Sequence, residues 1–472
     1  NQAVLGRSAL FIALGEGVPP EFKPKDAKGV TLNDEQVVGD ELRDIVHAAL
    51  NHRSGRSLDE NAYRQEFRKH FEFGCLRLKQ LWEESGNDQA KFVSELLKLG
   101  GSVELGMGLR PAVPALPVVE TEVKLKVLVD APGWSLNGPG TNNGLLVISG
   151  QPGTGKSQLA LDLLAQLSNC GVRFVFFDMK GELEDDPNNP QQRQNRTRFL
   201  EQTGARHVRL IQQSLPINPL YRHTNPAQNV QVAYEIANLI RCFAPQLGAK
   251  QERNISDAYE HLTTPDFRAL SQELQNSGAN GVDLAIIQKI ERLHLFANAD
   301  RAITADEWLN GSLVVDFKEF GNDTETKALA VALILNFLTK KLSQNLAVKK
   351  NIQPIKMVLF VDEAHLLLPK ESKAGLLSSL ARQGRSWGFP LWLASQDADK
   401  FLTVGTNETN FAELAECGVH FSPQTLSDSD QKMILGGVIH QKFKKAEAAL
   451  RLQGKLITGA ARQYWRDGGQ VG

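Results

Sequence analysis

The octet Gly150-Gln151-Pro152-Gly153-Thr154-Gly155-Lys156-Ser157 is the stretch of this chain best equipped for chemistry. Glycines at 150, 153 and 155 let the backbone turn tightly and aim its N–H groups inward at anionic oxygens. Lys156 can reach the β- and γ-phosphates of a nucleotide, and the Ser157 hydroxyl can ligate Mg²⁺. An apolar run over residues 145–149 precedes the octet, and a helix opens near Gln158. The octet therefore sits between a strand and a helix, whose N-terminus adds partial positive charge beside the loop. This arrangement implies a bound nucleoside triphosphate, with Gly150 to Gln158 around its phosphates.

A second group follows the apolar run 357–361, where Asp362 and Glu363 stand in succession and His365 comes two positions later. A buried strand that ends in Asp-Glu delivers two carboxylates to the carboxyl edge of a sheet, where α/β sheets bind ligands. Asp362 is placed to hold Mg²⁺ through its water shell, and Glu363 to orient and deprotonate an attacking water. A glutamate in that role favours hydrolysis over transfer to a small acceptor. A third group is Arg382, Arg385 and Gln396. Gln396 ends the next apolar run and can sense the γ-phosphate. An arginine, Arg385 in its Gly-Arg-Ser turn or Arg382, can act on the nucleotide of a neighbouring subunit. Each arginine can equally serve as a surface or capping residue.

Elements of two kinds must position these groups. Short apolar stretches at 124–129, 145–149, 173–177, 207–211, 313–315, 357–361 and 391–394 alternate with amphipathic helices. Strands apolar on both faces and separated by helices predict a mostly parallel sheet covered on both sides. Residues 225–310 show helical periodicity throughout and predict a helical insertion. Residues 1–105 read as a small, mostly helical domain, with apolar faces over 41–50, 62–81 and 92–99. A Gly- and Pro-rich linker over 106–118 then leads into a larger domain, 119–472.

Composition narrows the class. Of 472 residues, 42% are hydrophobic and 23% charged, which is ordinary globular usage and excludes collagen-like or disordered chains. The longest apolar run, 328–335, is far short of the roughly 20 residues a bilayer crossing requires. No stretch reads as a secretory signal, although the chain begins at Asn1 rather than Met. Four widely spaced cysteines make no zinc or disulfide pattern, and a soluble cytosolic protein without a membrane partner is expected. Formal net charge is −1, yet basic residues gather at 188–209, 338–356 and 440–466. Such clusters can be solvated helix faces or tracks for a polyanion. Lys250, Lys370 and Lys373 are candidate contacts to nucleic-acid phosphates, or simple solvated side chains.

Taken together, these motifs resemble the HerA/FtsK group of P-loop ATPases, which includes the VirB4-like conjugation ATPases. The resemblance rests on the octet, Phe177-Asp178-Met179-Lys180-Gly181-Glu182, Pro216-Ile217-Asn218-Pro219, Leu247-Gly248-Ala249-Lys250-Gln251, Val361-Asp362-Glu363-Ala364-His365, Gln383-Gly384-Arg385-Ser386-Trp387-Gly388 and Ala394-Ser395-Gln396. It spans residues 125–472. It implies a RecA-like P-loop core of α/β class that forms a homo-oligomeric, hexameric ring and uses ATP and Mg²⁺ to move DNA through its centre. Lys156, Ser157, Asp362 and Glu363 match nucleotide and catalytic positions. Gln396 matches the sensor, Glu182 an acidic position near the nucleotide, and Arg385 the finger, whose place varies in the group. A HerA-type β-barrel and an FtsK-type winged helix are not evident.

Residues Gly6 to Leu14 and Gly39 to Leu42 faintly resemble the DndE proteins of DNA phosphorothioation. That likeness implies an anti-phage ATPase that feeds DNA to a separate nuclease subunit. Alternatives are a motor for protein or secretion cargo, and an ATP-locked scaffold for such a nuclease.

Overall fold

The computed structural model describes residues 9–14, 17–19, 22, 24, 46–47, 49–51, 54, 58–86, 88, 92, 117–184, 188–223, 225–368, 375–402 and 409–470. Contacts divide the chain into two compact units, Asn1–Val113 and Pro114–Gly472. In the first unit, helix α1 (Glu60–Glu84) begins where the Asp59 carboxylate accepts the Ala62 N–H at 2.9 Å. It buries Tyr63, Phe67, His70, Gly74, Leu78 and Leu81, the three- and four-residue spacing of one helix face. A Cβ on Gly74 would lie 1.8 Å from the Ala9 carbonyl oxygen, so only glycine admits the helical turn 9–14 at that distance. The expected helix over 62–81 lies within α1. Most of 41–50 and 92–99, and residues 106–116, fall outside the described residues.

The second unit is built on a nine-stranded sheet of order β11-β10-β9-β3-β8-β7-β4-β6-β5. Its strands are β3 (Leu146–Ser149), β4 (Arg173–Asp178), β5 (Arg206–Arg209), β6 (Leu313–Asp316), β7 (Met357–Val361), β8 (Leu391–Ser395), β9 (Cys417–Phe421), β10 (Glu447–Leu452) and β11 (Lys455–Ala460). Strands β3 to β9 pair in parallel, and β10 and β11 join antiparallel at one edge. The fold is thus mixed α/β with a mostly parallel central sheet.

Alternation within the strands sorts their side chains into two cores. Val147, Val175, Phe177, Val315, Leu359, Val361 and Leu393 face one side. Ile148, Phe174, Phe176, Val314, Val358, Phe360 and Trp392 face the other. Each such buried side chain contributes roughly 1.5–3 kcal/mol, so a one-residue slip of any central strand would be prohibitive. The second face is covered by α2 (Lys156–Asn169), through Leu159, Leu163, Leu164 and Leu167, and by Phe199 of α3 (Pro190–Thr203). The first is covered by helices α4 (Pro226–Phe243), α5 (Ala249–His261), α6 (Phe267–Asn276) and α7 (Val282–Arg292), which fill the expected insertion, and by α9 (Thr324–Leu342) after the single turn α8 (Ala305–Trp308).

Two strand expectations are corrected. Residues 124–129 do not enter the main sheet. Only Lys124–Leu125 (β1) is a strand, paired antiparallel with Trp134–Ser135 (β2); the chain turns back at Val129-Asp130, after Leu128 forms one isolated antiparallel bridge to Ala461. Strands β9 to β11 escaped the apolar-run criterion. β9 contains Gly418 and a buried His420, and β11 alternates between half-buried and exposed positions along its length. Their hairpin closes at Gln453-Gly454, both at positive φ (49° and 75°), as a tight two-residue loop between right-twisted strands needs.

The chain beyond β11 is pinned to α2. Arg462 Nε donates to the fully buried Asp162 at 2.7 Å, and the Gly469 N–H donates to the other carboxylate oxygen at 2.7 Å. Removing one partner of a buried pair strands the other charge in low dielectric. Asp162→Ala is therefore expected to lower unfolding stability by about 3 kcal/mol, read from urea titrations, with Arg462 left uncompensated.

Candidate active site

Strand β3 ends at Ser149 and α2 begins at Lys156, two residues ahead of the expected start, so the octet fills the space between them. Gly153 and Gly155 take φ of 78° and 116°, conformations that a Cβ makes costly. A Cβ on Gly150 would meet Phe421 Cβ at 2.6 Å and Thr154 Oγ1 at 2.8 Å, so that glycine is fixed by close approach. Thr154 turns its hydroxyl back to the Gln151 carbonyl at 2.8 Å. The side chain of Lys156 is buried, with only 4% of the residue exposed, at the mouth of α2.

Strands β3, β8, β7 and β4 are consecutive neighbours and parallel, so the residues leaving their carboxyl ends share one edge. Glu363 leaves β7 with φ of 49°, a left-handed conformation that costs a non-glycine residue about 1 kcal/mol or more. Its carboxylate, on a residue 3% exposed, is met from four segments. Lys156 Nζ stands 3.7 Å from Oε1, and Lys180, leaving β4, contacts the same oxygen. Gln396, leaving β8, donates through Nε2 to Oε2 at 3.1 Å, and His365 Nδ1 lies 3.1 Å from that oxygen. The Ser157 hydroxyl donates to Glu182 at 2.7 Å.

Lys180 and Glu182 are held in place by Asp178. Its buried carboxylate accepts the N–H groups of Lys180, Gly181 and Leu183 at 3.2, 2.8 and 3.2 Å, which folds the segment into a tight turn. In register beside it on β6 is Asp316, whose carboxylate pairs with His207 at 3.1 Å. Burial, reinforced by the Asp316 charge and eased by the turn's N–H groups, pushes the Asp178 carboxyl up to about 7.

The two acids at the end of β7 are driven in opposite directions. Burial, opposed by Lys156 and reinforced by the Glu363 charge, pushes Asp362 up to about 6. Its Oδ2 is buried and has no hydrogen-bond partner among the described residues. Burial would raise Glu363 as well. There, Lys180 and His365 beside its two oxygens and the charge of Lys156 outweigh it, and the carboxyl is held down at about 2. Burial thus favours the protonated form of Asp362, while the groups around Glu363 favour its ionised form.

A cavity of ≈ 670 Å³ opens over this edge. Gln151, Pro152, Gly153, Gly155, Lys156, Ser157, Gln158, Glu182 and Gln396 line it, as the residue types suggested, while Gly150 and Thr154 shape the loop from behind. Asp362 lines a smaller recess against Lys156, Ser157 and Glu182. Lys180 also lines the main cavity. Its place just past the apolar strand β4, within the motif Phe177 to Glu182, is the sequence signal for it. Lys445, Gln463 and Trp465 line it too, and nothing local marked them: the Trp465 N–H bonds Gln158 across 307 positions of sequence.

Other expected residues do not join this site. Arg385 lies before β8, at the amino edge of the sheet, and its Nη1 donates to the Asn142 carbonyl, ahead of β3, at 3.2 Å. Burial lowers its pKa while Glu416 raises it. Arg382 is exposed on α10 (Leu376–Gln383). Neither lines this chain's pocket. Lys250 is exposed at the start of α5, and Lys370 and Lys373 lie outside the described residues. Much of the clustered positive charge is already engaged. Lys349 pairs with Glu120 at 2.6 Å, Arg196 bonds the Leu183 carbonyl at 2.7 Å, and Arg451 bonds two backbone carbonyls.

No known protein-family profile matches the sequence, and no curated protein matches it. Among solved structures the chain is similar to VirB4 of Thermoanaerobacter pseudethanolicus, at 16% identity over 72% of this chain and 96% of that one, with a TM-score of 0.51. Weaker likenesses include the bacterial conjugative coupling protein TrwB, at 12% identity, 67% and 83% coverage and a TM-score of 0.42. Another is the plasmid coupling protein TrwB in complex with ADP and Mg²⁺, at 14%, 67% and 84%, with a TM-score of 0.38. At these identities the VirB4 likeness establishes a shared fold.

The raised Asp362 pKa has a consequence for stability. In the unliganded protein this carboxyl binds its proton more tightly folded, at about 6, than unfolded, at its ordinary 3.8. Its contribution to stability therefore falls as pH rises from 4 through 6 and then levels off. Asp362→Asn is expected to match the wild type near pH 4 and to exceed it by on the order of 1–3 kcal/mol at pH 8, measured by urea titration at both pH values.

Proposed function

We propose that this chain is an ATP hydrolase of the P-loop class, acting as a homo-oligomeric ring that moves DNA. The observation that carries the hydrolase reading is the convergence of Lys156, Lys180, Gln396 and His365 on the buried carboxylate of Glu363, beside a loop built to hold phosphates. A site that only locked a nucleotide in place would not need an ionised carboxylate at that position.

In this reading the backbone N–H groups of Gly153 to Ser157 and the Lys156 ammonium hold the β- and γ-phosphates. Ser157 and the orphaned oxygen of Asp362 fit Mg²⁺, which takes few protein ligands besides phosphate and water. Bound there, Mg²⁺ would offset the negative charge of the phosphates. Glu363 accepts a hydrogen bond from the attacking water and orients it, and Gln396 couples that carboxylate to the exit of β8. A carboxyl at about 2 is a weak base, so phosphate oxygens that drew Lys180 away would strengthen it when a proton must be accepted.

The DNA reading is supported by the sequence resemblance to the HerA/FtsK group and by the VirB4-like fold. Domains at 1–105 and 119–472 joined by a linker at 106–118, a hexameric ring, Arg385 acting on the neighbouring subunit, and Lys250, Lys370 and Lys373 along a pore belong to the same proposal. A role in phosphorothioation-linked defence with a partner nuclease rests on the N-terminal DndE-like residues alone.

The test is ATP hydrolysis with and without long duplex DNA at two salt concentrations. Stimulation by DNA that weakens steeply at the higher salt is expected, because each phosphate contact releases counterions. Glu363→Gln should cut turnover roughly 10²- to 10⁴-fold while nucleotide binding persists. Hydrolysis indifferent to DNA at both salts would move the cargo to protein, and a wild type that binds nucleotide without hydrolysing it would favour an ATP-locked scaffold.

A further inference from the structure

The cavity has one wall that phosphate chemistry does not use. It is made by the segment after β11, where Gln463 Nε2 donates to the Gly155 carbonyl at 3.3 Å and the Trp465 backbone N–H donates to Gln158 Oε1 at 3.1 Å. These bonds place the one-turn helix Tyr464–Asp467 against the first turn of α2. The segment is firmly anchored on both sides of Trp465. The Tyr464 ring is buried edge-on to Phe199 at 5.4 Å, and its hydroxyl donates to Gln202 at 2.9 Å. Arg462 ahead of Trp465 and the Gly469 N–H after it are both tied to Asp162, each at 2.7 Å.

In this rigid frame the Trp465 indole is left 56% exposed at the cavity, the most exposed of the chain's six tryptophans. Three others, Trp134, Trp308 and Trp392, are fully buried. An indole exposed at the rim of a polar cavity, on a segment anchored on both sides, offers a broad apolar face on which a planar ligand can stack.

Resting on the nucleotide reading, the geometry points to Trp465 as the platform on which the base of the bound nucleotide stacks. Phosphates fixed at Lys156 and Ser157 leave the nucleoside to run along the cavity past Gln158, the residue that Trp465 itself holds. Gln191 and Asn195 of α3, also in the lining, offer side-chain amides to the edge of the base. A two-ring indole overlaps a purine more fully than a pyrimidine, so the ligand class is a purine nucleoside triphosphate.

Calorimetric titration with two probes separates this base contact from the phosphate site: a non-hydrolysable β,γ-imido analogue of ATP and inorganic tripolyphosphate, each with Mg²⁺. Trp465→Ala should weaken the analogue by roughly tenfold or more, the usual scale of a lost base stack, and leave tripolyphosphate within about twofold. Trp465→Phe should recover most of the loss. Unchanged affinity for the analogue in Trp465→Ala would overturn the stacking role, as would equal weakening of both probes, which would mean a distorted loop. Lys156→Ala should lose both probes, and that result upholds the phosphate site whatever Trp465 does. A wild type that binds neither probe would remove the nucleotide reading and the stacking proposal together.

Discussion

A carboxylate almost sealed from water can stay ionised only if donors surround it, and in this chain no single segment can supply them for Glu363. Lys156 comes from the loop after β3, Lys180 from the exit of β4, Gln396 from the exit of β8, and His365 from the turn after β7 itself. Those four strands must be neighbours, all pointing the same way, for their exits to meet. The order β3-β8-β7-β4 within a parallel sheet meets that condition. The helices on each face then follow, since parallel strands need crossovers and both faces must be covered.

The same constraint separates the two adjacent acids. Asp362 and Glu363 differ by one position, yet the left-handed turn at Glu363 swings its carboxylate into the donors, while Asp362 keeps a buried oxygen without a partner. Burial dominates one and ion pairing the other, so their proton affinities separate by several pKa units. Keeping Asp362 ionised in that buried position costs stability. Next to them, the buried carboxylate of Asp178 serves the backbone, gathering three N–H groups to set the turn that carries Lys180 and Glu182.

The antiparallel edge gives the phosphate loop its far side. Strand β9 lies against β3 and sets Phe421 under Gly150, and the Ala446 N–H ahead of β10 bonds the Thr154 carbonyl at 2.9 Å. The chain after β11 then returns to α2 through Arg462 and Asp162. Neighbouring elements thus brace the loop through its Thr154 carbonyl and the close face of Gly150.

What the sequence determined by itself was whatever contiguous residues dictate. The octet, the Asp362-Glu363 pair at a strand end, Gln396 after the next apolar run, the buried strands and the helical insertion all follow from local sterics and from periodicity within one segment. Strands that carry glycine, a buried histidine or an exposed edge, such as β9 and β11, lacked that signature. Tertiary structure alone decided which side chains from distant segments would meet. Lys180 reaches Glu363, Trp465 reaches Gln158, and Arg385 lies at the opposite edge of the sheet from the pocket. These outcomes depend on strand order and burial, and the strength of an electrostatic contact is set by distance and surrounding dielectric, neither of which is written in the spacing of residues along a chain.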